Sequence, residues 1–438
     1  MSPKTPTTAR TEEARPALVP KLRFPEFRGA EGWNSTVLGK LSEVVRGGSP
    51  RPIDGFLTTA ADGLNWLKIG DVDKEAKFVT QTAEKVRPEA LSKTRVVNPG
   101  DLILSNSMSF GRPYILQINT CIHDGWIAIT NLADSVERDY LYYLISSSNS
   151  QSYFEDNAAG SGVQNLNAEI IKALPVFYAS SAEQQKVADC LSSLDDLLAA
   201  QARKVDALKT HKKGLMQQLF PREGETQPSL RFPEFQNAGE WKSAQLGQLL
   251  KGSPDYGVNA AAVPFSELLP KYLRITDISE DGTYLREKIV SVDIEPTEEN
   301  YLDEGDITLA RTGASVGKSY RYRKEDGRLV FAGFLIRIKP AEKKLVSAYL
   351  ANYLTTDVYW DWVAVTSTRS GQPGINSTEY RSLSIPLPPG DLSEQQRIAD
   401  CLTSLDALIT AAAQELETLK THKKGLMQQL FPSAALSS

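Results

Sequence analysis

The chain has 438 residues, 41% of them hydrophobic and 24% charged, and a formal net charge of −5. That length and balance predict two domains with real cores and exclude wholesale disorder. A net negative chain does not coat nucleic acid by bulk charge, though local basic patches remain available to it. No apolar run approaches the ~20 residues that span a bilayer.

Residues 1–20 are rich in Thr, Pro and Ala and lack the apolar stretch of a secretory signal, so they read as a disordered N-terminal arm. A first domain is expected over 21–179. It opens with Leu22-Arg23-Phe24-Pro25-Glu26-Phe27 and Trp33. Short β-type runs at 102–104, 114–118 and 126–130 precede a helical stretch at 140–154. The mixture predicts an α/β domain with a curved, largely antiparallel sheet.

A spacer helix is expected over 180–221. Steps of four and three from Val187 give Leu191, Leu194, Leu198, Gln201, Val205, Leu208, Lys212, Leu215 and Leu219. This is a heptad seam sustained beyond four heptads, with polar exceptions of the kind that fix register. Ser180 three residues before Glu183 reads as a capping box, and Pro221 as the stop. Gly214 near the helix end costs about 1 kcal/mol against alanine, which predicts close packing against the backbone there.

The second domain, 222–390, repeats the opening as Leu230-Arg231-Phe232-Pro233-Glu234-Phe235 and Trp241. A β-type run at 328–338 and a helical stretch at 347–363 predict the same α/β mixture. A second spacer helix over 391–432 carries the seam Ile398, Leu402, Leu405, Ile409, Ala412, Leu416, Leu419, Lys423, Leu426 and Leu430, with Asp391 and Glu394 as its capping box and Gly425 answering Gly214. Residues 433–438 form a tail.

Lys209 to Pro221 and Lys420 to Pro432 are identical over thirteen residues at a shift of 211. The domains share a sparser frame: Gly100-Asp101 answers Gly305-Asp306, and Gly111-Arg112 answers Gly317-Lys318. A scaffold copied with different surfaces suggests two related ligands that differ in detail. Neither helix can bury its stripe alone. Pairing the two copies antiparallel solves this, because a whole domain between them can reverse the chain.

Catalytic signals are scarce. Thr312-Gly313-Ala314-Ser315-Val316-Gly317-Lys318-Ser319 misses the phosphate-binding spacing by one residue. The three histidines, His123, His211 and His422, form no ligand pattern, and the three cysteines make neither a disulfide framework nor a zinc site. A reducing cytoplasm is the default location. No nucleophile elbow or glycine-rich cofactor loop is present, and the chain is expected to perform no chemistry.

Two variable domains, each followed by one of two near-identical long helices, resemble the specificity subunit of type I restriction–modification enzymes. The resemblance rests on several features: the Glu183 and Glu394 helix starts, the Lys-Lys-Gly-Leu-Met-Gln-Gln-Leu-Phe-Pro ends, the Leu-Arg-Phe-Pro-Glu-Phe openings, and Gly305-Asp306-Ile307 leading to Ala310-Arg311-Thr312-Gly313. It covers nearly the whole chain after the arm. The first domain departs from it at Ser105-Asn106-Ser107, where Arg-Thr-Gly is expected. The resemblance implies a mixed α/β (α+β) fold with two pseudo-repeated target recognition domains joined by two long antiparallel coiled-coil helices.

It also implies that the partners are double-stranded DNA, two methyltransferase subunits and, in the nuclease-containing complexes, restriction subunits, with no membrane. Each domain would read one half of a gapped, asymmetric site. No cofactor is expected in this chain; S-adenosylmethionine, and ATP with magnesium, would sit on partner subunits. Arg46, Arg51, Lys68, Arg112, Arg274, Lys318 and Arg369 are candidates for phosphates. Asn106, Ser107, Gln164, Asn165, Arg311 and Gln372 are candidates for base edges, since Arg, Asn and Gln make bidentate base contacts. Leu191, Leu198, Leu208, Leu215, Leu402, Ile409, Leu419 and Leu426 are the candidate subunit-interface residues. A coiled-coil scaffold that pairs proteins without reading DNA is the rival, and a self-sufficient methyltransferase or nuclease a more distant one.

Overall fold

Alternation along single strands sorts the core of each domain into two faces. The computed structural model describes residues 19–106, 110–158, 165–368 and 373–432. The first domain contains β1 (Asn34–Val37), β2 (Glu43–Arg46), β3 (Leu57–Thr58), β4 (Leu64–Leu67), β5 (Phe78–Val79), β6 (Glu84–Val86), β7 (Arg95–Val97), β8 (Leu102–Ser105), β9 (Pro113–Leu116), β10 (Thr120–Ile122) and β11 (Trp126–Thr130). Helices α1 (Arg138–Ser146), α2 (Ser148–Asn157) and α3 (Ala168–Lys172) follow, then β12 (Pro175–Tyr178) and the long helix α4 (Ser181–Leu219). Among the described residues, β1 pairs with β12, and two larger sheets run β2-β11-β8-β9-β5 and β3-β6-β4-β10-β7.

Strand β8 is buried along its whole length. Leu102 and Leu104 join a core with Ile127, Ile129, Tyr140, Phe154 and Ile171. Ile103 faces the other way, into a core with Tyr114, Trp126, Leu67 and Ile122. The period of two thus sorts one strand between a helix-covered face and a sheet-covered face.

The second domain repeats the plan with β13 (Lys242–Gln245), β14 (Asp255–Tyr256), β15 (Ala262–Pro264), β16 (Lys271–Leu273), β17 (Val290–Val292), β18 (Ile307–Ala310), β19 (Ser319–Arg321), β20 (Leu329–Phe331) and β21 (Leu335–Ile338). Helices α5 (Ser347–Tyr353), α6 (Asp357–Ser367) and α7 (Ser377–Ser382), strand β22 (Ser384–Leu387) and helix α8 (Ser393–Leu430) complete it. Its described sheets run β13-β22, β14-β21-β18-β19 and β15-β17-β16-β20. These match the first domain strand for strand, with β5 and β7 as the first domain's additions. The sheets are largely antiparallel as expected, with parallel pairs at β4–β10, β5–β9 and β16–β20.

Three expected elements are divided. The helical stretch 140–154 is two helices, because the Ser147 hydroxyl accepts from Ser150 N and starts a new one. Thr356 does the same within 347–363 by accepting from Tyr359 N. The run 328–338 is β20 and β21, separated by a turn in which Leu335 N donates to Ala332 O at 2.8 Å. The repeated Gly-Asp pairs are tight turns: Gly100 and Gly305 adopt φ of 95° and 85°, a region that glycine enters without steric cost.

The chain divides into two compact units, Met1–Ala200 with Glu415–Ser438, and Gln201–Gln414. Each therefore holds an α/β domain, half of its own following helix and half of the other helix. In the first unit Val187 and Leu191 share a core with Met427, Leu430 and Phe431. In the second, Ile398 and Leu402 share one with Met216, Leu219 and Phe220. The start of one helix meets the end of the other, which is antiparallel pairing, and none of the twenty seam positions is exposed. Gly214 and Gly425 correct an expectation: a Cβ at either would meet nothing within 4 Å. No helix among the described residues is long and apolar enough to cross a membrane.

Candidate nucleic-acid interface

The repeated Glu-Gln-Gln helix starts latch each domain to its helix. Glu183 N donates to Ser180 Oγ at 3.4 Å, half of the expected capping box. The Glu183 carboxylate instead takes Arg23 Nε and Nη2 at 2.8 and 2.7 Å. At the second start Asp391 accepts from Ser393 N at 2.9 Å, and Glu394 takes Arg231 Nε and Nη2 at 2.7 Å each. The arginine of each Leu-Arg-Phe-Pro-Glu-Phe opening thus claims the carboxylate that a capping box would use, because a guanidinium fork is the stronger donor. Gln184 accepts from Glu137 N and donates to Ser135 O, and Gln395 accepts from Val346 N and donates to Lys344 O. Gln185 and Gln396 bridge to Asp189 and Asp400 one turn on. The repetition of both Arg and Glu in two copies was the signal for this latch.

In the first domain, three DNA candidates converge on Asp124, which sequence reasoning did not select. Arg46 Nε donates to Asp124 O at 2.9 Å, Arg51 Nη2 lies 3.3 Å from its Oδ2, and Asn106 Nδ2 donates to its O at 3.0 Å. Ser49 Oγ donates to Oδ1 at 2.9 Å, and His123 Nε2 is 3.0 Å from the same oxygen. Burial raises the Asp124 carboxyl, but the Ser49 hydroxyl and the neighbouring His123, Arg46 and Arg51 outweigh it and hold it below the usual carboxylate range. Arg46 and Arg51 remain exposed. Arg51 rims a cleft of about 470 Å³ with Trp66, His123 and the Lys68–Glu84 pair.

Three of the candidates are committed internally. Asn106 is only 2% exposed and its amide is satisfied within the domain, so it presents no edge to a base. Lys68 Nζ pairs with Glu84 at 2.6 Å. Arg274, its counterpart in the frame, forks onto Asp277 at 3.0 and 2.7 Å. Each of these last two precedes a single turn of 3₁₀ helix whose aspartate holds its own backbone N–H. A cation paired in this way positions a turn before it meets a phosphate. Arg112 is 3.4 Å from the exposed Glu75, and Asn165 is exposed. Ser107, Gln164, Arg369 and Gln372 lie outside the described residues.

In the second domain, Arg311 stands just past the end of β18, and Lys318 closes the same loop, half-buried. Arg311 N donates to Phe334 O at 3.0 Å and its carbonyl accepts from Ile375 N at 2.9 Å. Asn106 makes the same two bonds, to Gly125 O and from Leu166 N, each at 3.0 Å. The two residues therefore hold one structural position. The guanidinium carbon of Arg311 lies 5.0 Å from the centroid of the Tyr256 ring.

The seam exceptions pair across the helices. Lys212 Nζ is 2.6 Å from Asp406 Oδ1, and Lys423 makes the matching pair with Asp195. Gln201 Nε2 donates to Ala412 O at 2.9 Å. The interface leucines are turned within the chain: Leu191 and Leu402 have no exposure, while Leu198, Leu208, Leu215, Ile409, Leu419 and Leu426 are half-buried. They belong to the intramolecular seam and the domain cores, because that is where the heptad stripe finds its partner. Lys423 and Lys77 both lie over the ring of Tyr143, whose hydroxyl donates to Asp195 at 2.6 Å. This ties the first domain to the pair.

The chain is a duplicated α/β domain, each copy latched by an arginine–glutamate fork to the start of the long helix that follows it. The chain belongs to the type I restriction modification DNA specificity domain family, whose model matches residues 31–210 and 240–421. It is 22% identical over 434 residues to the type I restriction enzyme MjaVIII specificity subunit of Methanocaldococcus jannaschii, covering 93% of this chain and 95% of that one. The putative MjaX specificity subunit of the same organism is 24% identical over 443 residues, covering 92% and 93%. The fold is similar to the crystal structure of the type I restriction–modification S subunit from M. genitalium, with a TM-score of 0.56, 15% identity, and 95% and 99% of the two chains covered. A chain from a structure describing complex assembly and conformational transition of the type I system gives 0.57 at 17% identity, over 92% and 98%.

Proposed function

We propose that this chain is the DNA-reading subunit of a type I restriction–modification complex, in which each domain reads one half of a gapped, asymmetric site. The observation that carries this is the shared structural position of Asn106 and Arg311: the same strands and backbone bonds hold a buried asparagine in one domain and an arginine over Tyr256 in the other, so the two copies differ where a ligand would meet them. A duplicated scaffold with divergent loops suits two different half-sequences read in opposite orientation.

The helix pair is the spacer. From Val187 to Leu219, thirty-two steps at 1.5 Å give ~48 Å, which corresponds to roughly 14 base pairs. The helices also dock the methyltransferase subunits. Leu197 and Leu408, 49% and 55% exposed at equivalent places outside the seam, offer an apolar contact for them. Reading is assigned to this chain. Methyl transfer, with its S-adenosylmethionine, and any ATP-driven cleavage are assigned to partners.

The test is long-read sequencing of DNA from cells expressing the full chain with a cognate type I methyltransferase subunit. A bipartite motif carrying modified adenines is expected. Inserting one heptad into both helices lengthens the gap and leaves both half-sequences unchanged. An assembled complex that modifies nothing, or half-sequences that change with helix length, would overturn the proposal.

A further inference from the structure

Arg46, Arg51, Lys68, Arg112 and Arg274 each meet a carboxylate or a carbonyl, and Arg311 is held differently. Its backbone is clamped by Phe334 O and Ile375 N, and the adjacent Thr312 bridges to Gly374. Among the described residues, no carboxylate or carbonyl takes its guanidinium donors. The group rests over Tyr256, and that ring is itself held. Tyr256 Oη donates to Ser377 Oγ at 3.2 Å and accepts from Ser377 N at 3.4 Å, at the first residue of α7. Stacking on an anchored ring removes rotamer freedom from a long side chain and fixes the plane of its fork. The surroundings are apolar: Tyr256 is 44% and Phe334 55% exposed.

This constellation suits a base edge better than a phosphate. A phosphate accepts donors from many directions and is met by flexible cations set among other polar groups. A guanine offers two acceptors, O6 and N7, at a fixed separation in the major groove, beside flat apolar surface. In the first domain the equivalent Asn106 is buried and hydrogen-bonded to Asp124. At this structural position the second domain therefore carries an arginine fork and the first does not.

We propose that Arg311 reads a guanine in the half-site of the second domain, and that Tyr256 is the positioning residue that sets the plane of its guanidinium. The proposal rests on the DNA reading proposed above and adds which residue reads which base.

The experiment maps adenine modification by long-read sequencing, using the full chain with a cognate methyltransferase subunit, for the wild type and for R311A, R311K, Y256A and Y256F. The wild-type motif contains a G·C pair in the second half-site. R311A and R311K lose about tenfold or more of the discrimination at that one pair, the scale of a bidentate contact. The first half-sequence stays intact, which reports that the complex folds and assembles. Y256A relaxes the same pair in part, and Y256F, which keeps the ring but loses its bonds to Ser377, relaxes it less than Y256A does. An even loss over all sequences in R311A that R311K restores would make Arg311 a phosphate contact and overturn the proposal, while DNA reading by the chain stands. An unchanged motif in R311A overturns it equally. A wild-type complex without any bipartite motif would be the failure of the DNA reading itself.

Discussion

Removing Arg231 strands a buried carboxylate at the start of the second long helix. The Arg231 and Glu394 side chains are 6% and 2% exposed, and both fork bonds are 2.7 Å. Arg231→Met keeps most of the side-chain volume and leaves the Glu394 carboxylate buried without its cation. Breaking such a pair costs about 3–5 kcal/mol. In a unit of this size each kcal/mol moves Tm by about 2–4 °C, so calorimetry of the full chain should show one transition falling by ~6–20 °C. The other transition, marked independently by Arg23→Met, stays in place. Arg23→Met costs less, because Trp33 Nε1 still donates to Glu183 at 3.1 Å, whereas Trp241 Nε1 makes no hydrogen bond among the described residues. The double change Arg231→Met with Glu394→Leu removes the stranded charge and recovers at least half of the loss. A single variant within about 2 °C of wild type, or a double variant as unstable as the sum of both singles, would refute the account of the latch.

Other perturbations follow from the same geometry. Burial raises the Asp139 carboxyl, but Lys77 and Arg138 outweigh it and lower it overall. Its stabilising share is thus full above the ordinary carboxylate value and vanishes as pH falls through the lower folded value. The stability gap between wild type and D139N, measured by urea unfolding, should be constant from about pH 8 to 5 and close below about pH 4. G257A would bring a Cβ to 2.2 Å from Phe331 O and 2.3 Å from Ala332 O, and G47A to 2.2 Å from His123 O. Each should cost at least ~2–3 kcal/mol, while G214A and G425A, which meet open space, should each add about 1 kcal/mol. K423E should lower the Tm of the first unit, and adding D195K should restore most of the loss. A failure of the swap to rescue would mean that the pair does not set register.

The helices were legible because their physics is local and periodic. Every seam position read from the 3.5-residue step is at least half-buried, and the polar exceptions Lys212 and Lys423 proved to be the cross-helix pairs. What the periodicity concealed was which surface the carboxylate of Glu183 would meet, since a capping box and an arginine latch place glutamate at the same position. The candidate site was harder to read. Lys68 and Arg274 look like free cations until the chain brings Glu84 and Asp277 to them. Asn106 looks like a base reader until the turn carrying Asp124 closes over it. Tyr256 carries no motif at all: its value comes from pairing of β14 with β21, which delivers its ring beneath a loop fifty-five residues later in the chain.

The near identity of the helix ends has a structural cause in the exchanged packing. Met427, Leu430 and Phe431, at the end of the second helix, complete the core of the first domain. Met216, Leu219 and Phe220, at the end of the first helix, complete the core of the second. The same residues must therefore close two different domains, and they do so against the same partners: Tyr140 stacks near Phe431, and Tyr349 near Phe220. A substitution in one helix end is felt in the domain that precedes the other helix. Phe110 and Val316, in the loops that follow Asn106 and Arg311, pack against these same two cores, so a loop that changes what a domain presents varies around such anchors.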